Sequence, residues 1–300
     1  MCTIWFIVVA GRAMQPQFSL AHLTVLGLSP PEMIAAAERA GYSFVGLRLE
    51  AVTAEEPKHA LHRDAQLLRD TKRALANSGV EVLDVELIRL TPEFDIHRFD
   101  ALLDVSAEIG ARHLIAQGAD SQLDRVIEHF GQLCDAAAKR NLTADMEFVT
   151  WTETSDLSRA AQIVEGARRD NAGLLIDTLH FSRSNCDLGE LAKLPRSWFN
   201  YVQVCDAPAE PPATRDELIH AARNERLFLG AGGLDVRGIL HALPPDIPYS
   251  LEIPNAAMAK QIGLVEFARV TLRTAQQFLH SRGTSPSAVE SHQKFNCRPR

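Results

Sequence analysis

The chain has 300 residues, of which 46% are hydrophobic, 23% are charged and 6% are aromatic, and its formal net charge is −7. This composition is typical of a globular protein with room for one large domain. The acidic balance argues against nucleic acid or an anionic membrane as a partner, because phosphate groups need a basic face, and no apolar stretch reaches the about 20 residues of a membrane span.

The two ends of the chain differ in composition from its centre. The apolar run from Ile4 to Ala10 lacks the preceding basic residues and the length of a signal peptide, so residues 1–16 are predicted to be a non-essential extension. Residues 281–300 are rich in Ser, Pro and charge and predict a polar tail. Five scattered cysteines without CxxC spacing favour a reducing, cytoplasmic location.

Eight short apolar, often β-branched runs recur along the centre of the chain and predict β-strands. In chain order they are Phe18–Thr24, Phe44–Leu49, Glu81–Leu87, His113–Gln117, Thr143–Phe148, Gly173–Asp177, Tyr201–Cys205 and Tyr249–Ile253.

Amphipathic helical patterns lie between most of these strands. They are predicted over Pro31–Ala40, with Ser29 as N-cap, and over His59–Asn77, Phe99–Ile109, Leu123–Lys139, Leu157–Arg168, Val236–Ala242 and Ala257–Leu279. Alternating strands and helices indicate a parallel sheet, and eight units in roughly 260 residues match a closed (β/α)8 TIM barrel over residues 17–280. The alternative, an open doubly wound sheet, lacks the expected GxGxxG after the first strand.

Four of the later strands end on a side chain that suits a metal ion. Glu147, Asp177, Gln203 and Glu252 end strands five to eight, which are neighbours in a barrel. Because the strand ends of a TIM barrel share one rim, these side chains are expected to approach one point. Buried carboxylates are costly without a counter-charge, and a shared divalent cation offsets that cost. The sequence therefore predicts one metal centre.

Structural roles remain open for Asp177, for Gln203 and for His180, which lies one helical turn beyond Asp177. Asp177 precedes Thr178 and is an alternative N-cap for the next helix. Gln203 is alternatively a buried amide bonded to neighbouring strands, and His180 a satisfied loop histidine.

Several motifs along these strands resemble the sugar phosphate isomerase/epimerase group of the xylose isomerase-like barrels. They are Met146-Glu147-Phe148, Leu175-Ile176-Asp177-Thr178-Leu179-His180, Val202-Gln203-Val204-Cys205-Asp206, Arg226-Leu227-Phe228-Leu229-Gly230-Ala231-Gly232-Gly233-Leu234-Asp235 and Ser250-Leu251-Glu252-Ile253-Pro254. The resemblance covers the chain from about Phe18 to Leu279.

The resemblance implies one divalent metal ion held by Glu147, Asp177, Gln203 and Glu252. The third ligand is often histidine in the epimerases, and here it is glutamine. The resulting all-oxygen set favours Mg²⁺ or Mn²⁺, with Zn²⁺ or Co²⁺ as alternatives. A second departure is Leu229-Gly230-Ala231-Gly232, where the family usually has PGEG.

The activity implied by the resemblance is that of an isomerase or epimerase. A proton next to a carbonyl of a small sugar, keto-polyol or hydroxy acid is removed through an enediolate that the metal stabilises, with Glu147 and Glu252 as catalytic acid and base. The alternative is a lyase of the inosose or 3-dehydroshikimate dehydratase type on the same scaffold. An apurinic-site endonuclease would need a basic DNA face, and a non-catalytic binding barrel would not need all four ligand positions.

Five further residues are predicted to contact the substrate, and Arg48 is an additional candidate. His180 lies one turn beyond Asp177, while Glu86 and His22 end the third and first strands. Arg226 is a candidate anion clamp, as is Arg48, and Trp151 offers a flat face to a sugar ring. The long segment from Ala207 to Gly233 is predicted to be a lid or an insertion that packs on a neighbouring subunit, so a homo-oligomer stays open.

Overall fold

The computed structural model describes residues 16–281, so most of the predicted extension and of the predicted tail lie outside the described residues. Within that range, eight parallel strands close into a barrel in the order β1 to β8, with β8 pairing with β1. The strands are β1 Phe18–Ala21, β2 Phe44–Arg48, β3 Glu81–Leu90, β4 His113–Gly118, β5 Thr143–Glu147, β6 Ala172–Asp177, β7 Val202–Val204 and β8 Tyr249–Leu251. The predicted (β/α)8 barrel and its eight strands are confirmed.

Helices connect and surround the strands. They are α1 Pro30–Ala40, α2 Ala65–Ala76, α3 Asp100–Glu108, α4 Leu123–Ala138, α5 Leu157–Ala167, α6 Thr178–Arg183, α7 Leu188–Leu191, α8 Arg215–Asn224, α9 Val236–Ala242, α10 Ala256–Ile262 and α11 Leu264–His280. At the start of α1, Ser29 occupies the predicted N-cap position, and Glu32 accepts hydrogen bonds from its backbone N–H and its hydroxyl.

Two predicted helices have different boundaries in the structure, and the helices α6, α7 and α8 were not predicted. The second helix begins at Ala65 because Asp64 caps it there, and residues 59–64 form an irregular segment. The predicted last helix is divided into α10 and α11 at Gly263, whose φ of 82° cannot continue a right-handed helix. The segment from Ala207 to Gly233 contains a helix, α8, that was not predicted.

Side chains alternate between the inside and the outside of the barrel. A small cluster of Phe44, Leu83, Ile115, Leu175 and Tyr201 is separate from the main core between strands and helices. Ile115, Leu175 and Tyr201 each lie two residues before a polar strand-end residue and therefore share its inward face. The cluster closes the barrel beneath the rim. Within residues 16–281 no helix is both long and apolar enough to cross a membrane.

Candidate active site

The carboxyl ends of the strands surround one pocket. Seven of the predicted site residues line it, namely Glu86, Glu147, Trp151, His180, Gln203, Arg226 and Glu252. Strand register explains part of this, since Glu147 pairs with Gln117 and Gln203 pairs with Asp177 at matching levels of the barrel. Asp177 does not line the pocket and lies against Arg226 at its floor.

Asp177 caps the start of α6 and also contacts Arg226. Its Oδ1 accepts the backbone N–H groups of Leu179 at 2.7 Å and His180 at 3.4 Å, at the start of α6. Its Oδ2 accepts from Arg226 Nη1 at 2.6 Å. Burial opposes ionisation of this carboxyl, but the guanidinium of Arg226 lowers the pKa of Asp177 below its ordinary value. The alternative role of Asp177 as an N-cap is therefore present, and its role as a metal ligand stays a prediction.

Arg226 is a buried cation whose donors are used within the protein. Its Nη2 lies 3.1 Å from Glu252 Oε2, its Nη1 also reaches the carbonyl of Glu252, and its Nε donates to the carbonyl of Ala222 at 2.7 Å. The guanidinium thus joins Asp177 and Glu252 and has little capacity left for a substrate anion.

Gln203 and Glu252 form the next part of the floor. Gln203 Nε2 donates to Glu252 Oε1 at 3.1 Å, so both oxygens of Glu252 have protein partners. Gln203 Oε1 is buried and has no hydrogen-bond partner among residues 16–281. An amide oxygen left without a partner beside carboxylates is the arrangement expected of a metal ligand.

Glu147 is held by a residue that the sequence analysis missed. Gln117, at the end of β4, donates from Nε2 to Glu147 Oε2 at 2.6 Å. Burial and the charge of Asp177 raise the pKa of Glu147 from its ordinary value to about 7, while the Gln117 hydrogen bond opposes this rise. The other oxygen, Oε1, stays free for a cation or a substrate. A polar residue ending β4 was the available signal for Gln117.

The donor set fits a divalent cation. Donor atoms of Glu147, Asp177 and His180 lie within 4.8 Å of one another and form a possible metal site. The floor carries four carboxylates, of Glu86, Glu147, Asp177 and Glu252, but only two guanidinium groups, of Arg48 and Arg226. Glu56 also lies beside Arg48, so the carboxylates outnumber the guanidinium groups, and a divalent ion would offset part of this acidic excess.

His180 and Trp151 form one wall of the pocket. Their rings meet edge to face with centroids 5.0 Å apart, and His180 Nδ1 lies 3.3 Å from Thr150 Oγ1. Burial lowers the pKa of His180 to about 4, so its imidazole is neutral near pH 7. A neutral imidazole is able to bind a cation or a substrate hydroxyl.

His22 is the one predicted substrate contact that faces away from the pocket. Its Nε2 lies 3.0 Å from the carbonyl of Leu28, and its Nδ1 accepts the backbone N–H of Arg48 at 3.0 Å. Its ring stacks on that of His59. Because both ring nitrogens contact backbone groups, these contacts give His22 a structural position rather than a substrate contact.

Arg48 and Glu86 form an ion pair at the floor of the pocket. Glu86 Oε2 accepts from Arg48 Nε at 2.8 Å and from Nη2 at 2.5 Å. Arg48 Nη1 also lies 3.5 Å from Glu56 in the segment after β2. The guanidinium is therefore committed to two carboxylates.

Two arginines at the pocket mouth were not predicted. Arg89 lies near the end of β3 and Arg223 lies on α8, and both line the pocket. Among residues 16–281 neither has a carboxylate within 4.0 Å, as every ion pair found there involves other cations. Burial and the nearby charges of Arg223 and Arg48 lower the pKa of Arg89. The sequence analysis did not find them, because Arg89 lies in the part of β3 beyond the predicted strand end at Leu87 and because α8 was not predicted.

The glycine-containing segment after Arg226 is organised by Asp206. Asp206 Oδ2 accepts the backbone N–H groups of Gly230 and Gly232 at 3.0 Å each, and Oδ1 accepts that of Leu234 at 3.1 Å. A Cβ on Gly232 would lie 2.3 Å from the carbonyl oxygen of Ala207, so glycine is required there. The turn therefore forms without the proline and glutamate that the family usually has.

Comparison with known proteins identifies the family of this barrel. The profile described as xylose isomerase-like TIM barrel matches residues 34–278. A 3-dehydroshikimate dehydratase of Pseudomonas aeruginosa is 26% identical over 258 residues, which are 80% of this chain. The chain spans only 38% of the length of that curated relative.

Solved structures share the fold at lower sequence identity. A crystal structure of IOLI protein with a binding zinc atom has a TM-score of 0.73 and 18% identity, covering 88% of this chain and 98% of that chain. D-psicose 3-epimerase, crystallised in the presence of D-fructose, has a TM-score of 0.64 and 11% identity, covering 88% of this chain and all of the other. The proteins similar to this chain thus include a dehydratase and an epimerase.

Proposed function

From the premise that this chain belongs to the xylose isomerase-like TIM barrel family, we propose that it is a divalent-metal-dependent lyase. Its substrate would be a small cyclic keto acid that loses water from the carbon next to an acidic C–H, as in a 3-dehydroshikimate dehydratase. The observation that carries this proposal is the pair of mouth arginines, Arg89 and Arg223, which line the pocket and have no carboxylate within 4.0 Å among residues 16–281.

The charge distribution supports an anionic substrate. A divalent cation would offset part of the acidic excess of the floor, and the two mouth arginines form no ion pair among residues 16–281. Like charges repel, and a carboxylate placed between two guanidinium groups replaces that repulsion by forked hydrogen bonds. A neutral polyol would leave this repulsion in place. The arginines therefore favour a substrate that carries a carboxylate.

The metal-binding residues are proposed to be Glu147, Asp177, Gln203 and Glu252. When bound, a divalent cation, of which Mg²⁺ or Mn²⁺ suits these oxygens best, polarises a carbonyl and acidifies the adjacent C–H. Of the predicted acid–base pair, Glu147 keeps a free oxygen for substrate or cation. Glu252 has both oxygens engaged, and its contribution is to hold the cation and to fix Gln203.

The pocket wall supports a second candidate, an isomerase or epimerase of a small sugar, keto-polyol or hydroxy acid. Trp151 and His180 together present an aromatic face and an imidazole on one side of the floor. A sugar ring stacks on such a face while its hydroxyls bond to the imidazole. This reaction begins with the same proton abstraction and differs in that no hydroxyl leaves.

An assay with an acidic and a neutral substrate tests the proposal. Protein loaded with Mn²⁺ should convert 3-dehydroshikimate into an aromatic, ultraviolet-absorbing product and leave inosose unchanged. Replacing both Arg89 and Arg223 by Gln should raise KM for the acid by about 10²- to 10⁴-fold, because each of the two forked contacts contributes about 1.5–3 kcal/mol. Arg39→Gln, on the exposed face of α1, serves as the control.

The opposite pattern would contradict the lyase. Turnover of neutral inosose or a keto sugar without loss of water would favour the isomerase. An unchanged KM in the double arginine variant would remove the argument for a carboxylate.

A further inference from the structure

Glu86 is the one floor carboxylate with a buried oxygen that no protein group contacts. The residue is 1% exposed and lies on β3 among the residues that line the pocket. Its Oε2 accepts two hydrogen bonds from Arg48, while Oε1 has no hydrogen-bond partner among residues 16–281. A buried carboxylate oxygen without a donor is costly unless a ligand supplies one.

The other floor carboxylates have less freedom to move a proton. Asp177 uses one oxygen at the start of α6 and the other on Arg226. Glu252 uses its two oxygens on Gln203 and Arg226. Glu147 keeps Oε1, which is the oxygen available to a cation. Coordination shares the negative charge of a carboxylate with the metal and makes it a weaker base.

The position of Glu86 is fixed by a chain of buried contacts. Arg48 holds Glu86 through its Nε and Nη2, and Glu56 lies 3.5 Å from Nη1 on the other side of the guanidinium. The backbone N–H of Arg48 donates to His22 Nδ1 at 3.0 Å. Because Arg48 cannot rotate without losing these contacts, the carboxylate of Glu86 is held in one orientation among the residues that line the pocket.

We propose, on the basis of the proposed function, that Glu86 Oε1 is the base that takes the proton next to the substrate carbonyl. The C–H bond breaks, its electron pair forms the enolate, and the proton passes to Glu86. The C=O double bond then re-forms, the electron pair of the enolate C=C bond makes a new double bond between the α- and β-carbons, and the C–O bond at the β-carbon breaks. Glu86 returns the proton to the departing hydroxyl, which leaves as water, so the carboxylate is regenerated without a co-reactant.

The test separates proton transfer from metal binding. In D₂O, Mn²⁺-loaded protein should exchange the substrate proton next to the carbonyl for deuterium, followed by mass spectrometry or NMR. Glu86→Gln should slow both this exchange and water loss by about 10²- to 10⁴-fold, the usual contribution of a general base. Its Mn²⁺ affinity, measured by electron paramagnetic resonance without substrate, should stay within about threefold of the wild type.

Glu38→Gln is the control, since Glu38 is exposed on α1, contacts none of the groups that hold Glu86 and does not line the pocket. It should keep exchange within about threefold of the wild type. Exchange in Glu86→Gln at or near the wild-type rate would overturn the assignment. Where Glu86→Gln fails to bind Mn²⁺, Glu86→Ala with added formate decides: restored exchange supports the role, and no restoration overturns it.

The same measurement distinguishes failure of the inference from failure of the proposed function. Wild-type protein that exchanges deuterium without losing water would reject the lyase and leave the role of Glu86 to be decided by Glu86→Gln. Wild-type protein that neither exchanges nor eliminates with any acidic keto-polyol offered would reject both.

Discussion

At the residue scale, Gln203 and His180 are the two candidate ligands whose chemistry differs most. Gln203 has an amide oxygen without a hydrogen-bond partner among residues 16–281, whereas His180 offers a neutral imidazole nearby. These two residues represent different donor sets around Glu147 and Asp177. An all-oxygen set favours Mg²⁺ or Mn²⁺, and an imidazole favours Zn²⁺.

Gln203→His should change the metal preference if Gln203 is a ligand. We expect the affinity for Zn²⁺ relative to Mn²⁺ to rise at least about tenfold, because an imidazole nitrogen replaces an amide oxygen. Competition calorimetry with the two metals measures this ratio. His180→Gln is the matched control and should leave the ratio nearly constant. A shift in the control and none in Gln203→His would make His180 the ligand.

At the element scale, the segment after β7 builds one side of the pocket from irregular backbone. Asp206 and Leu227 form an antiparallel bridge, which places Arg226 beside the floor, and α8 lies over the mouth with Arg223. The Asp206 carboxylate collects the backbone N–H groups of the following turn, which would otherwise be unpaired. This turn fixes the position of Arg226 although it contains no regular structure.

Asp206→Asn should loosen this turn. An amide replaces one carboxylate oxygen by an NH₂ group that faces other N–H donors, so we expect a loss of about 1–3 kcal/mol in the free energy of unfolding. For a barrel of this size the corresponding fall in Tm is about 2–8 °C, measured by differential scanning calorimetry. Asp246→Asn serves as the control because its side chain is 70% exposed. Equal Tm changes in the two variants would contradict the role of Asp206.

At the scale of the whole molecule, the acidic floor makes stability depend on pH and on metal. Burial and Asp177 raise the pKa of Glu147 from 4.5 to about 7 in the folded protein. Such a group contributes stability below its ordinary pKa, and this contribution is lost as the pH rises through about 7. His22 and His180, whose pKa values are lowered, act in the opposite direction at acidic pH.

Comparison with Glu147→Gln isolates the contribution of Glu147 from that of the histidines. Without metal, the free energy of unfolding of the variant relative to that of the wild type should rise as the pH increases from 5 to 8, by an amount on the order of 3 kcal/mol. Thermal melts of both proteins in a chelator measure this difference. Adding Mn²⁺ should stabilise the wild type most at high pH and the variant far less. A difference in Tm that is independent of pH would contradict the assignment.

The sequence by itself determined the barrel and the strand-end residues. Strand and helix periods are local properties, so eight alternating units predicted the fold, and the rule that parallel strands end at one rim placed Glu147, Gln203 and Glu252 in one pocket. Asp177 was predicted from the same rule, because it ends β6.

Only the tertiary structure decided which atoms of the site are free. Arg226 engages Asp177 and Glu252 across 49 and 26 residues of sequence, and Gln117 engages Glu147 across 30. His22 was predicted to end the first strand, which in fact ends at Ala21, and its ring contacts backbone groups. Such pairings depend on how distant strands and loops pack, which no local pattern records. The arrangement of charged groups at the floor and at the mouth of the pocket therefore follows only from the tertiary structure.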